Sequence, residues 1–279
     1  MSINGLPVGR FYFEMLGELG VGGLGRVDKI RITQSNAAQK PVGSEWARKR
    51  LNEHWAENPK IHQRFEREIV ALKTMKHGSI VSYEGENLPG AERFYVMPLF
   101  TFGVRKHIAT GGWRGDWRSV AGAGATLADA LHYAHTHSTG FVHRDLKPDN
   151  LLFNPGGPLT ITDWGLGYFI HKESKVLAQL TNGGMGTEYY CSLEQWSTGK
   201  CDHRGDIYSL GMTLDEWVNG GQRTIVVGQG VTGGSVPATG VGAARFNKVI
   251  AWMTQLFPDE RPANMAIVAQ SLRAAAAMQ

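Results

Sequence analysis

A change of hydrophobic period near Pro98 constrains this chain more than any other feature. Before it, short strand-like runs alternate with turn clusters. Phe11 to Leu16, Arg26 to Thr33 and Glu45 to Leu51 read as strands, and two more are expected near Ile80 to Glu84 and Arg93 to Met97. Ser35 to Gly43 is a polar loop. Asn58-Pro59 opens a helix, with Asn as N-cap and Pro in the first turn. After Pro98 the apolar residues recur at helical spacing: Val120, Ala123, Leu127, Leu131 and Ala134; Ile207, Leu210, Leu214 and Trp217; Phe246, Val249, Ile250, Met253 and Leu256; Val268 and Leu272. These stripes are core faces. Gly220 to Gly242 reads as a long loop or a degenerate helix, and no internal repeat is present. The outline is a small β-rich front and a larger α-rich back, with a ligand cleft between them as the default expectation.

A length of 279 residues suits about two lobes. Hydrophobic residues at 42% and charged residues at 19% exclude a disordered or fibrous chain. The formal net charge of +4 is small for this length and gives no reason to expect nucleic acid or membrane as a partner. Two cysteines, Cys191 and Cys201, exclude a disulfide framework. The N-terminal residues lack a basic region followed by an apolar stretch, and no run of 18 apolar residues occurs. A soluble, cytoplasmic protein is expected.

Four segments carry chemistry. Gly20-Val21-Gly22-Gly23-Leu24-Gly25-Arg26-Val27 fits G-x-G-x-x-G-x-V, whose glycines let backbone N–H groups approach phosphates. Taken alone it is equally an ordinary hairpin turn. A dinucleotide fold would need a helix directly after it, and a strand-like run follows instead. In Trp46 to Leu51, Ala47 and Lys49 share one strand face, which suits an adenine and its phosphates, although a solvated basic run would look the same. On the helix after Pro59, Phe65, Glu68, Leu72 and Met75 form one face, so Glu68 sits in an apolar stripe and needs a partner. Lys49 is the obvious one. The fourth segment, His143-Arg144-Asp145-Leu146-Lys147-Pro148-Asp149-Asn150, combines a potential base (Asp145), a cation for a transferring phosphate (Lys147) and an amide oxygen for a metal (Asn150). Asp163-Trp164-Gly165 follows at a strand end, where a carboxylate suits Mg²⁺ held by few protein ligands.

In this order and spacing the segments resemble the eukaryotic-like Ser/Thr protein kinases of bacterial type, over about Phe11 to Ala275. Ser192-Leu193-Glu194 stands in place of A-P-E, with Asp206 in DIYSLG and Arg261 in DERP. The resemblance implies an α+β, bilobal protein kinase fold: a small antiparallel β-sheet N-lobe with one key helix (1–97), a hinge (98–100), a larger, mainly α-helical C-lobe (101–279) and an activation segment at 163–194. It implies ATP with Mg²⁺, or Mn²⁺, as cofactors. Gly20, Gly22 and Gly25 would cover the phosphates. Lys49 would hold the α and β phosphates and pair with Glu68. Asp145 would accept the substrate hydroxyl proton, Lys147 would neutralise the γ phosphate, and Asn150 and Asp163 would bind the metal. Thr187 would hydrogen-bond the catalytic Asp and Lys. Adenine would lie between Val27 and Ala47 on one side and Leu152 on the other, with Met97 as gatekeeper and Pro98, Leu99 and Phe100 as hinge. Glu194 would pair with Arg261, and Asp206 would brace the catalytic loop.

Lys147 and Thr187 match Ser/Thr rather than Tyr kinases. The implied activity is transfer of the ATP γ-phosphoryl group to Ser/Thr hydroxyls of protein substrates, the chain itself included, through a transient homodimer. Arg144 beside Asp145 resembles kinases switched on by phosphorylation, with Ser174 and Thr181 as candidate sites. Three departures stand out. Trp164 replaces the usual Phe, Leu193 replaces Pro, and Gly220 to Gly242 is atypical for the substrate-side helix. The alternatives are a pseudokinase serving as a nucleotide-binding scaffold and a small-molecule phosphotransferase. Zinc on His132, His135, His137 and His143 is set against ordinary helix-surface histidines, His143 being part of the 143–150 segment.

Overall fold

The computed structural model describes residues 11–22, 25–55, 58–86, 92–138, 140–154, 157–164, 189–198, 200–225 and 240–278. Thr187, Ser174, Thr181, Gly165 and most of the expected loop at Gly220–Gly242 lie outside them. The chain divides into two compact units. One comprises residues 1–73 and 81–100, the other residues 74–80 and 101–279.

The first unit is a four-stranded antiparallel sheet in chain order, β1 (Phe11–Val21), β2 (Gly25–Ser35), β3 (Glu45–Leu51) and β4 (Phe94–Met97), with helix α1 (Pro59–Thr74). β1 runs five residues beyond the expected Leu16. Gly17 and Gly20 are absorbed inside it at register shifts against β2, Gly17 at φ +151°. Period two is clear in β2, where Ile30 and Ile32 are buried on the same face as Asp28. Asn58 caps α1 by accepting from the Ile61 N–H at 3.3 Å. The strand expected at Ile80 to Glu84 does not form. Pairing there is limited to single bridges, Ile80 with Ile161 and Glu86 with Tyr95. The division between the two units falls at 80/81, and Gly85 at φ +132° turns the chain so that Glu84 N and Gly85 O meet Val96. A ladder cannot run through such a bend.

The second unit is helical: α2 (Val104–Ala109), α3 (Trp117–Thr136), α4 (Leu193–Thr198), α5 (His203–Val218), α6 (Val241–Met253) and α7 (Met265–Ala276), with a two-stranded sheet of β5 (Leu151–Phe153) and β6 (Leu159–Ile161). Side-chain caps start three of these helices: Asp116 on Ser119 N, Asp202 on Arg204 N and Asn264 on Ile267 N. Every residue of α5 from Gly205 to Val218 is buried, so this helix is an interior post rather than an amphipathic one. α3 packs against it closely enough that a Cβ at Gly124 would stand 2.7 Å from Leu214 Cδ1. The expected stripe Phe246–Leu256 is shorter than the sequence suggests, because α6 ends at Met253 and Leu256 lies beyond it. No helix among the described residues is long and apolar enough to cross a membrane.

Candidate active site

In the sheet unit, antiparallel register places Val27 opposite Lys49 and Ala47 opposite Met97. Lys49 and Glu68 are both buried, and Lys49 Nζ donates to Glu68 Oε1 at 3.0 Å. An isolated buried charge would be costly, so the two ions stabilise each other. Tyr95 on β4 adds a second donor, its hydroxyl 3.1 Å from the same carboxylate oxygen. No sequence pattern points to it, since a tyrosine in a strand reads as ordinary β propensity. On the opposite face Arg48 and Arg50 are not a solvated run: both donate to buried Asp28, at 2.8 Å from Arg48 Nη2 and 2.9 Å from Arg50 Nε.

The glycine hairpin sits at the end of this face. Gly22 N donates to Gly25 O at 2.8 Å, and Asn52 Nδ2 ties the turn to the end of β3 through Gly22 O at 2.8 Å. A Cβ at Gly25 would lie 3.0 Å from Arg50 O, tight enough that the β3 backbone would have to give by a few tenths of an ångström, and 3.5 Å from Lys49 Cε. Gly20 and Gly22 differ. A Cβ at Gly20 would meet nothing within 4 Å, and one at Gly22 only Gly25 O at 3.6 Å. Among the described residues nothing packs closely enough to require glycine at these two positions, whereas a ligand phosphate approaching the backbone would. Met97 is buried, and Pro98 and Phe100 are half-buried at the end of β4.

In the helical unit, the loop between α3 and β5 carries the second group of residues. Lys147 Nζ contacts both carboxylate oxygens of Asp145, at 3.1 and 2.9 Å. Burial works against the Lys147 ammonium, yet the Asp145 charge and hydrogen bonds, with Asp149 and Asp163 adding to them, hold its pKa above the ordinary lysine value. Asn150 turns its amide nitrogen toward Asp145, 2.7 Å from the main-chain oxygen and 3.1 Å from Oδ2. With its nitrogen committed to Asp145, Asn150 has Oδ1 as the side-chain atom able to act as a cation ligand. Thr162, the residue before Asp163, is fastened to the loop because its N–H donates to Asn150 O at 2.9 Å. Leu152 is half-buried on β5, where it bridges to Gly103.

Two of these residues hold left-handed backbone without being glycine: Arg144 at φ +68° and Asp163 at φ +63°. Such conformations cost about 1–3 kcal/mol and persist only where the surroundings enforce them. Asp206 supplies part of that enforcement, accepting from His143 N at 2.8 Å and Arg144 N at 2.7 Å. Burial opposes ionisation of Asp206. A hydrogen bond from His135 Nε2 at 2.8 Å and one from the Arg144 N–H at 2.7 Å nevertheless hold its carboxyl below the usual range. The reading of helix-surface histidines is therefore corrected at His135. His135 is the partner of Asp206, and His143 is fully buried with Nε2 on Thr162 O at 2.7 Å. Trp164 is buried as well, its ring 4.9 Å from that of His143 and its Nε1 donating to Ile161 O at 3.3 Å.

Outside the loop, Arg261 meets Glu194 with its two terminal guanidinium nitrogens, at 2.7 and 2.9 Å. Burial pushes the Glu194 carboxyl up, but the Arg261 bonds outweigh it and hold the group below its ordinary value. Leu193, the departure from proline, is exposed at the start of α4. One further cluster escaped the sequence reading. Arg105 on α2 binds Asp149 at 3.0 Å, Glu216 at 2.8 Å and the Tyr190 hydroxyl at 2.7 Å. Its members lie 44 to 111 positions from Arg105 along the chain, so no local pattern announces it.

A paired lysine below a glycine hairpin and an aspartate–lysine–asparagine loop hung from a buried aspartate belong to one class of protein, the ATP-dependent protein phosphotransferases. The family model described as protein kinase domain matches residues 13–226, and the chain belongs to that family. A probable serine/threonine-protein kinase of Clostridium perfringens is 30% identical over 208 residues, covering 75% of this chain and 29% of that protein. The DNA damage-responsive serine/threonine-protein kinase RqkA of Deinococcus radiodurans is 32% identical over 207 residues, covering 72% and 29%. The chain thus spans less than a third of the length of these relatives. The crystal structure of the Mycobacterium tuberculosis PknI kinase domain superposes with a TM-score of 0.67 at 20% identity, covering 97% of this chain and 100% of that one. The fold is the α+β protein kinase fold. Kinases of this family use ATP and a divalent cation and act on proteins.

Proposed function

We propose that this chain is an active serine/threonine protein kinase domain that phosphorylates Ser/Thr hydroxyls of proteins, its own among them. The observation that carries the reading is the Asp145–Lys147–Asn150 cluster, in which a carboxylate, an ammonium and a side-chain amide are hydrogen-bonded together in one loop. The residues present suit the nucleotide and its metal: Gly20 and Gly22 leave open space above the hairpin, and Asn150 keeps Oδ1 for a cation. ATP would supply the γ-phosphoryl group, with Mg²⁺ or Mn²⁺ screening its oxygens.

Lys49, held by Glu68 and Tyr95, would bind the α and β phosphates. Asp145 would orient the substrate hydroxyl and take its proton, a contribution typically of about 10²–10⁴-fold. Lys147 would pass from Asp145 to the γ phosphate as charge develops there. Asn150 and Asp163 would hold the cation, and Val27, Ala47, Met97, Pro98, Phe100 and Leu152 would enclose the adenine. Thr187 and the activation segment 163–194 complete this proposal. Such a division of labour relies on positioning and charge rather than covalent chemistry.

The test is transfer of labelled phosphate from ATP to a generic basic protein and to the chain itself. Asp145→Asn and Lys49→Ala are each expected to lower transfer by at least about 10²-fold while leaving the fold intact by circular dichroism. Full turnover in Asp145→Asn would remove the assigned base. No transfer by the parent chain with either metal would favour the scaffold alternative.

A further inference from the structure

The Arg144 carbonyl and the Asp145 N–H belong to one peptide plane, and Asp145 is the proposed base. On one side of that plane Asp145 N donates to His143 Nδ1 at 3.3 Å. On the other, Gln195 reaches in from α4, and its Nε2 donates to Arg144 O at 2.7 Å. The peptide before it is fixed through Arg144 N by Asp206. The left-handed φ of Arg144 thus lies between two peptide planes, each held by a side chain from outside the loop.

The Gln195 amide is itself oriented. It is 2% exposed, and its Oε1 accepts from the Cys201 thiol at 3.0 Å. Burial first, then the carboxylates of Asp206, Glu194 and Asp202, push that thiol up to about 12, so it remains a donor at any working pH. A flipped amide would set Oε1 against the Arg144 carbonyl. Cys201 in turn has room only because residue 205 is glycine: a Cβ there would stand 2.7 Å from its sulfur.

We propose that Gln195 is a positioning residue for the catalytic loop, locking the Arg144–Asp145 peptide so that the Asp145 carboxylate faces the substrate hydroxyl. The inference rests on the kinase reading above. Gln195 acts on the loop through the Arg144 carbonyl, so the lesion belongs in turnover rather than in nucleotide binding.

Two variants test it in the full chain, with ATP and a peptide substrate. Gln195→Ala is expected to lower kcat about 10–100-fold while KM for ATP stays within about twofold. Gln195→Glu keeps the shape and the Cys201 bond but offers a carboxylate to a carbonyl. The charged groups that act on the Cys201 thiol bonded to it are Asp206, Arg144, Glu194 and Asp202. Burial and the neighbouring carboxylates push the pKa of the new acid up against the opposing Arg144 cation, and its protonated form regains a donor. The kcat of Gln195→Glu relative to wild type at the same pH should therefore rise several-fold as pH falls from about 8 to 6.5, while the Gln195→Ala ratio stays flat. A merely structural role predicts equal, pH-independent losses that follow the melting temperatures, and that result overturns the proposal even if Gln195→Ala is poorly folded. An active parent with two fully active variants sinks this inference alone. An inactive parent sinks the kinase reading and this inference with it.

Discussion

At the scale of single residues, Glu68 shows how a buried charge is made tolerable. Its Oε1 takes a charge-assisted bond from Lys49 and a second bond from Tyr95. Tyr95→Phe removes only the hydroxyl and leaves the ring packed on Phe65, 5.6 Å away. A hydrogen bond to a charged, buried partner is worth about 1.5–3 kcal/mol, so the variant should melt roughly 3–10 °C lower. An unchanged melting temperature would show that Glu68 does not depend on Tyr95. The Lys49–Glu68 pair was legible beforehand because helical spacing set a carboxylate in an apolar stripe, and such a residue has to find a cation. Tyr95, His135 and Gln195 were not legible. Each bonds to a residue distant in sequence through a polar tip that its local pattern does not advertise.

At the scale of elements, periodicity located the strands β2 and β3 and the helices α3, α5 and α7 well, because each buries a regular face. It failed at Ile80 to Glu84, where the apolar run belongs partly to one unit and partly to the other and Gly85 bends it. The tie between α4 and the segment before α7 makes a testable case. Arg261 is fully buried and Glu194 only 23% exposed, so Glu194→Gln leaves a guanidinium charge without its carboxylate. Main-chain oxygens of Gln255, Arg204 and Leu256 soften the loss. A cost of about 2–4 kcal/mol is expected at neutral pH. The sign with pH follows from the lowered folded pKa: the Glu194 contribution is complete above its ordinary value of 4.5 and disappears as pH falls through the folded value. Wild type and Glu194→Gln should therefore differ in urea midpoint at pH 7 and converge toward pH 3. Parallel curves over that range would assign the acid sensitivity to other carboxylates.

At the scale of the whole molecule, the change of period at Pro98 and the order of the motifs made the fold class readable, since a sheet with one inserted helix followed by a helical bundle admits few topologies. Ligand binding can be followed at the same scale, because a ligand that binds only the native chain stabilises all of it. At about 100 times Kd that amounts to about 2.7 kcal/mol, roughly 5–10 °C here. ATP with Mg²⁺ should raise the melting temperature by this much, and ATP with a chelator by distinctly less, since Asn150 and Asp163 then contribute nothing. Asp163→Asn is a clean probe of that difference. Its position has φ +63°, which asparagine tolerates, so the backbone can stay as it is while the charge goes. The variant should melt close to wild type without ligand and show nearly the same small shift with ATP whether or not Mg²⁺ is present. A wild-type shift equally large with the chelator would take the metal away from Asn150 and Asp163. A variant that retained the full Mg²⁺-dependent increment would take it away from Asp163 alone.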